Sequence, residues 1–583
     1  MGDLEFLPFE PATFDLARAQ DRPVLLVITV PWCTHCKELV GTVLAHPDVV
    51  AAITAGYVPV HADAERRPDV NQRYGAGGWP TIAYLTPSGE LIANDGYLGK
   101  EQVLVRLQKV HEYFRTHRKE IEQGLKGLWS QKSGEERLRP SQKLSRRMVD
   151  DIVDAIYEKF DHRYGGWGET SKFPHSEALD FALVQWVKRG DERMRDVVTS
   201  TLDGMMSGGL HDQIDGGFFR FSKTPDWKSP NYEKILDANS RRLRCYLEAF
   251  QVFGKEDYYR TAEGIVRWML GVMLDPETKA FCGSQEPDPD YYALDAQGRK
   301  TRKPPRIDKT IYANSNALAI SALLKASIVL ERKELRETAL GALHFLLENL
   351  HHPDGTVYHY WDGTYHLPGL LSDQAYLIRA LIDASQHTGD ADLLLPAEAI
   401  AELAMQRQRA PGGGFYDILH DTSWSGSMRR RNRSILENSV MAEALVRLSY
   451  LSRRPEFRSE GIATLEAFTS DYKEYVYYVA GWGRAVDLVF YEPLIVTIVG
   501  DRTSQAADAL RRAALKHYVP SRIVQMLDPA HDPILLQRSG YPVKDRPTVF
   551  LSVGRSTKAV VQDPDELLLQ MERVETERRV QLD

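Results

Sequence analysis

Hydrophobic periodicity divides the chain into three stretches. In the first, the apolar run Val24-Leu25-Leu26-Val27-Ile28-Thr29-Val30 reads as a strand delivering the chain to a helix start at Trp32-Cys33-Thr34-His35-Cys36-Lys37. Around it the pattern predicts a helix over Ala12 to Gln20, a strand over Tyr57 to Ala62 and a short helix over Pro68 to Tyr74. Strands Thr81 to Leu85 and Glu90 to Asn94 pair through Pro87-Ser88-Gly89. A helix over Lys100 to His117 sets Val103, Leu104, Leu107, Val110 and Phe114 on one face.

Apolar positions then thin out, and residues 123–147 carry the Gly, Ser, Lys and Glu of a linker. The second stretch, 148–491, has helical periods punctuated by glycine beside an aromatic residue. These marks are Gly165-Gly166-Trp167, Gly216-Gly217-Phe218, Gly355 to Tyr358, Gly412 to Phe415, Gly481-Trp482 and the weaker Phe281-Cys282-Gly283. Segments of roughly 50 to 75 residues lie between them, about two helices each, such as Ala317 to Leu330 with Leu335 to Leu350. Six hairpins closing on themselves make an (α/α)6 toroid, and an irregular helical domain with glycine C-caps is the alternative. The third stretch, 492–583, reads as a small α/β region with strands at Leu494 to Val499, Ile523 to Leu527 and Thr548 to Ser552 and a helix at Ser504 to Leu515.

Composition narrows the function classes. At 583 residues and 43% apolar content, each stretch can bury a core. A net charge of -8, with only the short Arg429-Arg430-Arg431 run, gives no footprint for nucleic acid or anionic lipid. No apolar run reaches membrane-spanning length, and the first residues lack a basic n-region and an apolar h-region. With four cysteines, Cys245 and Cys282 far from the first pair, a reducing cytoplasm is expected and a secreted disulfide scaffold is not.

Chemistry concentrates where strand meets helix. Cys33 at the helix start is the expected nucleophilic thiol and Cys36 the resolving one. Trp32, His35, Trp79 and Pro80 are the supporting residues, Pro80 opening the next apolar strand toward the pair. Together these resemble thioredoxin, so residues 1–122 are expected to adopt that fold. Thioredoxins of this kind carry a buried aspartate where this chain has Val27, which removes a proton relay for the resolving thiol. His35 resembles the middle of isomerase and oxidant motifs, where an imidazole lowers the thiol pKa. A metal site would need further thiols or imidazoles at ligand spacing, and only His46 and His61 lie nearby; neither metal nor cofactor is expected.

Further motifs run in order along nearly the whole chain: Ala62-Asp63-Ala64-Glu65-Arg66-Arg67-Pro68-Asp69-Val70, Lys172-Phe173-Pro174, Gly208 to Gln213, Tyr232 to Leu236, Ser372 to Tyr376 and Asn438-Ser439-Val440. They resemble the spermatogenesis-associated thioredoxin-like family. That resemblance implies a thioredoxin-like domain ahead of a six-hairpin domain similar to N-acylglucosamine 2-epimerases and related glycosidases. The chain departs from the family at Asn231, Asp237 and Ala238 around the Glu-Lys step, at Ser315-Asn316-Ala317 and at Lys37.

In a toroid, polar loop residues point at a funnel. The candidates for a ligand pocket are His211, Asp212, Asp215, Trp227, Tyr232, Glu233, Lys234, Asn239, Asp308, Asn316, Asp373, Tyr376, Glu437 and Asn438. Paired carboxylates there suit acid and base on a sugar, with Phe218, Trp227 and Tyr232 to stack on it. Capping of backbone amides and buried ion pairs are the competing roles. Three functions follow: a thiol-disulfide oxidoreductase whose ring holds a protein thiol or disulfide client, a carbohydrate-active enzyme acting on a small polyhydroxy ligand, and a binding scaffold. Asp212, Trp227, Glu233 and Asp373 should converge in one pocket under the second.

Overall fold

The computed structural model describes residues 4–121, 141–554 and 556–580, so most of the expected 123–147 linker lies outside the described residues. The chain forms two units, Met1–Arg139 with Asp417–Asn432, and Pro140–Tyr416 with Arg433–Asp583. This differs from the expected partition in two respects: 417–432 joins the first unit, and the C-terminal region joins the ring.

The first unit runs β1 (Leu7–Pro8), α1 (Pro11–Gln20), β2 (Val24–Thr29), α2 (Thr34–Glu38), α3 (Pro47–Gly56), β3 (Val58–Asp63), α4 (Pro68–Tyr74), β4 (Thr81–Leu85), β5 (Leu91–Asp95) and α5 (Lys100–Thr116). The sheet order is β1-β3-β2-β4-β5, with central β2 parallel to β3 and antiparallel to β4. Every β2 side chain is buried, as a strand covered on both faces requires. Leu25 and Val27 meet Ile53 of α3 and Val103 and Leu107 of α5 in one core. This is a thioredoxin-like fold. Residues 417–432 complete it: the Trp424 ring stacks 5.2 Å from Phe9, beneath the Arg67 guanidinium. Asp417 pairs with Arg73 at 3.0 Å, both side chains 2% exposed.

The second unit is a ring of hairpins. Its helices are α6 (Arg147–Glu158), α7 (Ser176–Arg189), α8 (Glu192–Ser207), α9 (Leu236–Phe253), α10 (Glu256–Trp268), α11 (Ala313–Val329), α12 (Lys333–Asn349), α13 (Leu371–Thr388), α14 (Leu394–Arg407), α15 (Ile435–Ser452), α16 (Pro455–Glu466) and α17 (Ala480–Phe490). The inner helices α7, α9, α11, α13, α15 and α17 touch in that order, and α17 returns to α7. Each of the first five is followed by its outer partner, and α6 at the start of the ring is the outer partner of α17. The sixth hairpin therefore joins the two ends of the ring. Inner α11 is buried on nearly all sides, whereas outer α6 presents one stripe of Met148, Val149, Ile152, Val153 and Ile156.

Five of the glycine-aromatic marks are tight turns at which the chain leaves an outer helix on its way to the next inner one. Each is closed by a single bridge: Phe160 with Trp167, His211 with Phe218, Leu274 with Phe281, His351 with Val357, and Arg409 with Phe415. Gly216 shows why glycine is needed there, because at φ +84° a Cβ would stand 2.0 Å from the Gly264 carbonyl oxygen. The sixth mark departs from expectation. Gly481-Trp482 lies inside α17, and the sixth crossing is the Tyr472–Val479 turn segment.

The C-terminal region adds β6 (Leu494–Val499), α18 (Gln505–Lys516), β7 (Arg522–Leu527), α19 (Pro533–Ser539), β8 (Thr548–Val553), β9 (Ser556–Val561) and α20 (Pro564–Val580), with sheet order β7-β6-β8-β9. It docks where the inner helices end. The Gln386 side chain on α13 accepts the Val524 N–H at 2.8 Å, and Gln525 donates to the Leu451 carbonyl of α15 at 2.8 Å.

Candidate functional site

The two sulfurs at the β2–α2 junction occupy different environments. Cys33 is the N-cap of α2 in extended conformation, and its sulfur accepts the Cys36 N–H at 3.2 Å. Cys36, one helical turn on, is 3% exposed, while Cys33 is half-buried. The Cys36 thiol, the backbone amide and the positive charge of His35 favour a Cys33 thiolate over the opposing effect of burial, and bring it from 9.0 to about 7. The same bond, with burial, pushes Cys36 up. Both cysteines are free thiols. The Trp79 carbonyl lies 3.7 Å from the Cys33 sulfur, the Trp79–Pro80 bond is cis, and the Trp32 and Trp79 rings meet edge to face at 5.4 Å. His35 is exposed beside Tyr97 and Glu38. Val27 is buried between His61 and Ile82 in the sheet register. The carboxylate whose charge reaches Cys36 belongs to Asp63 at the end of β3.

The ring residues nominated from sequence separate into structural groups. Asp212 accepts from Lys234 at 2.7 Å and from Arg299 at 2.9 Å, and Arg299 also reaches Asp215 at 2.7 Å. Lys234 donates to the Gly216 carbonyl as well, which locks the crossing loop. The preceding crossing repeats this arrangement with Lys172, Asp161 and the Gly165 carbonyl, at 2.5 Å each. A lock present in two loops is a scaffold device. Asn239, Asn316 and Asn438 form a second repeat. Each sits in the first turn of an inner helix, accepts one backbone N–H of Phe218, Phe281 or Phe415, and donates back to the same residue's carbonyl.

The other nominees have partners too, although Glu233 Oε2 and His211 Nε2 are buried without a hydrogen bond. Asp373 is buried against His359 at 2.9 Å and accepts the Asn314 amide; burial raises its carboxyl pKa despite that imidazole. Glu233 accepts from Asn231 at 2.7 Å, Asp308 from Thr310 and Tyr312, and Tyr232 stacks on Tyr292. Trp227 is 1% exposed and donates to the Tyr164 carbonyl. His211 stacks on Phe218, and burial holds its imidazole down at about 4. The expected convergence of Asp212, Trp227, Glu233 and Asp373 is thus corrected: each is held by its own partners, and none lines the axial cavity.

That cavity lies among the first turns of the inner helices, with a volume of about 260 Å³. Of the nominated residues only Tyr376 and Glu437 line it. Sequence reading overlooked its other charged walls. Arg241 pairs with Glu177 and donates to Tyr376 at 2.7 Å, Arg244 pairs with Glu248 at 3.1 Å, and Arg484 lies 3.7 Å from Asp180. Burial beside the Glu248 charge pushes the Asp180 carboxyl up to about 6, so this carboxyl takes up a proton about one pH unit below neutrality. The missed signal was a polar stripe on helices otherwise buried all round: Asp180 falls among Phe181, Ala182 and Leu183.

Comparison with known proteins follows this architecture. Residues 2–132 match the family model Thioredox_DsbH, "Protein of unknown function, DUF255". Human spermatogenesis-associated protein 20 is 21% identical over 97% of this chain and 89% of its own length. The protein disulfide-isomerase tigA of Aspergillus niger is 35% identical over 18% of this chain and 30% of its own length. Cellobiose 2-epimerase from Spirochaeta thermophila aligns with 59% of this chain and 98% of its own, at TM-score 0.47 and 12% identity. Over 97% of its length the chain is similar to spermatogenesis-associated protein 20, and it carries a DsbH/thioredoxin-like unit ahead of a six-hairpin helical ring.

Proposed function

We propose that the first unit is a cytoplasmic thiol-disulfide exchange module with Cys33 as nucleophile and Cys36 as resolving thiol. The observation that carries this is the asymmetry of the pair: a half-buried, hydrogen-bonded Cys33 sulfur near 7 beside a buried Cys36 thiol. The Cys33 thiolate attacks a client disulfide; that S–S bond breaks, one client sulfur leaves and takes a proton from water, and a mixed disulfide forms. Cys36 then gives up its proton and attacks the Cys33 sulfur, expelling the second client sulfur, which takes that proton. The client gains two electrons, and a cellular dithiol returns the Cys33-Cys36 disulfide to the reduced state. Trp79 and Pro80 flank the sulfur and offer backbone to an extended client. A carbohydrate reading of the ring moves from Asp212, Glu233 and Asp373 to the cavity walls, where Asp180 and Glu248 are the titratable pair.

The test is trapping with a disulfide-bonded dye-labelled peptide. Cys36→Ser should accumulate the mixed disulfide, Cys33→Ser should form none, and the parent should release reduced peptide. A Cys36→Ser protein that forms no adduct sinks the proposal.

A further inference from the structure

The resolving step requires Cys36 to lose a proton, yet this thiol is buried and strand β2 beneath it offers no carboxylate. We propose that Asp63, at the end of the neighbouring strand β3, takes the Cys36 proton and returns it to the departing client sulfur. This role rests on the dithiol exchange proposed above and adds a third residue to it.

Strand register puts Asp63 on the face where the proton is lost. Side chains alternate along a strand, so Leu25, Val27 and Thr29 share one face of β2. Leu25 and Val27 pack there with Leu39 and Val43, which continue the Cys36 side of the helix at helical spacing. Strand β3 runs parallel with His61 opposite Val27 and Asp63 opposite Thr29, so both side chains lie on that same face. The Thr29 hydroxyl and His61 Nε2 meet there at 2.8 Å.

Level along the strands chooses between the two. His61 lies beside Val27, deeper in the sheet. Asp63 lies at the strand end, opposite the residue before Val30, and Val30 marks the level of the dithiol: its N–H favours the Cys36 thiolate and its carbonyl accepts the Cys33 N–H at 3.3 Å. The carboxylate charge acting on Cys36 is that of Asp63. Its Oδ1 accepts the Glu65 N–H at 2.9 Å, which holds the side chain in place. In the step itself the Cys36 S–H bond breaks and Asp63 becomes a carboxylic acid. The Cys36 thiolate then attacks the Cys33 sulfur of the mixed disulfide, the bond from Cys33 to the client breaks, and the client thiolate takes the proton from Asp63. The Cys33-Cys36 pair is oxidised as the client is reduced.

Single-turnover kinetics with the dye-labelled disulfide peptide read the two steps separately. Adduct formation by Cys36→Ser reports the attack by Cys33, and release of reduced peptide by the intact dithiol reports the attack by Cys36. Asp63→Asn can keep the Glu65 bond and should slow release about a hundredfold at pH 7, the lower end of general base catalysis. Loss of charge alone acts the other way, because the Asp63 carboxylate opposes a Cys36 thiolate; a merely electrostatic neighbour would give faster release. Release by the variant should also rise steeply above pH 7 as hydroxide replaces the carboxylate, while that of the parent changes little. The other titratable groups on this face do not mask the slope: Cys33 is tied up in the mixed disulfide, and burial keeps the His61 imidazole neutral. Asp63→Glu should recover part of the rate. Asp63→Ser, whose hydroxyl can accept the same Glu65 N–H, replaces Asp63→Asn if the latter does not melt like the parent. Release as fast as the parent's, or faster, from a folded variant lacking the carboxylate overturns the proposal. Absence of any Cys36→Ser adduct overturns instead the exchange reading, and this role with it.

Discussion

Cys33 shows how far one residue's environment was legible before the structure was known. Its place after an apolar strand marks it as a helix N-cap, and that place lowers a thiol pKa. The donated Cys36 bond was not legible, because it depends on which sulfur is buried. Alkylation by iodoacetamide should therefore accelerate through pH values near 7, where the Cys33 thiolate forms, and level off above. Because His35 contributes positive charge, His35→Ala should move that midpoint upward; an unchanged midpoint contradicts the electrostatic account. Lys234 teaches the opposite lesson. Its motif looked functional, yet the lock it forms with Asp212 and Gly216 is matched atom for atom by Lys172, Asp161 and Gly165. Both lysines are fully buried, so Lys172→Met and Lys234→Met should each cost about 1–3 kcal/mol in denaturant unfolding, since each leaves a loop carbonyl and a carboxylate one hydrogen bond short. Neither should slow Cys33 trapping; a loss of trapping in a still-folded variant would make the lock more than scaffold.

Among the elements, strongly periodic segments were read almost to the residue. The short helix Pro68–Tyr74, the strand Thr81–Leu85 and the strand Leu494–Val499 stand where the pattern put them. Those missed lacked a one-dimensional signal: β9 is an edge strand with mostly exposed side chains, and α20 is crowded with charge. The segment 417–432 was invisible for a different reason. Its sequence position, between α14 and α15, says nothing of its membership in the first unit, which rests on Trp424 against Phe9 and on Asp417 with Arg73. That unit is therefore incomplete as residues 1–122. Trp424→Ala removes a half-buried ring and its cation-π partner, and should destabilise the first unit by about 2 kcal/mol. The check is hydrogen exchange read at β2 and β4, whose protection should fall in the variant while that of the inner helices α11 and α13 stays unchanged. Equal protection of β2 in variant and parent would mean that the segment merely rests on the unit.

For the whole molecule, the number of hairpins was legible because five crossing loops share one glycine-aromatic pattern, but the closure was not. No local pattern says that α6 packs on α17, more than three hundred residues later in the chain. The seam is visible at Gly483 on α17, where a Cβ would lie 2.7 Å from Ile152 of α6 and 3.1 Å from Phe181 of α7. It is pinned at the rim by Tyr472, whose hydroxyl donates to Asp151 at 2.6 Å. A side chain at 483 must push apart three helices whose contact turns an open arc into a ring, and rigid packing gives it nowhere to go. Gly483→Leu should therefore lower stability by about 1–3 kcal/mol, the usual cost of overpacking. Ile152→Ala removes the atom that clashes, so the double variant should be more stable than the two single losses added together. Gly271→Ala, with open space around its Cβ position, serves as the control and should melt like the parent. If Gly483→Leu also melts like the parent, or if Ile152→Ala brings no relief, the ends of the ring do not meet at this seam.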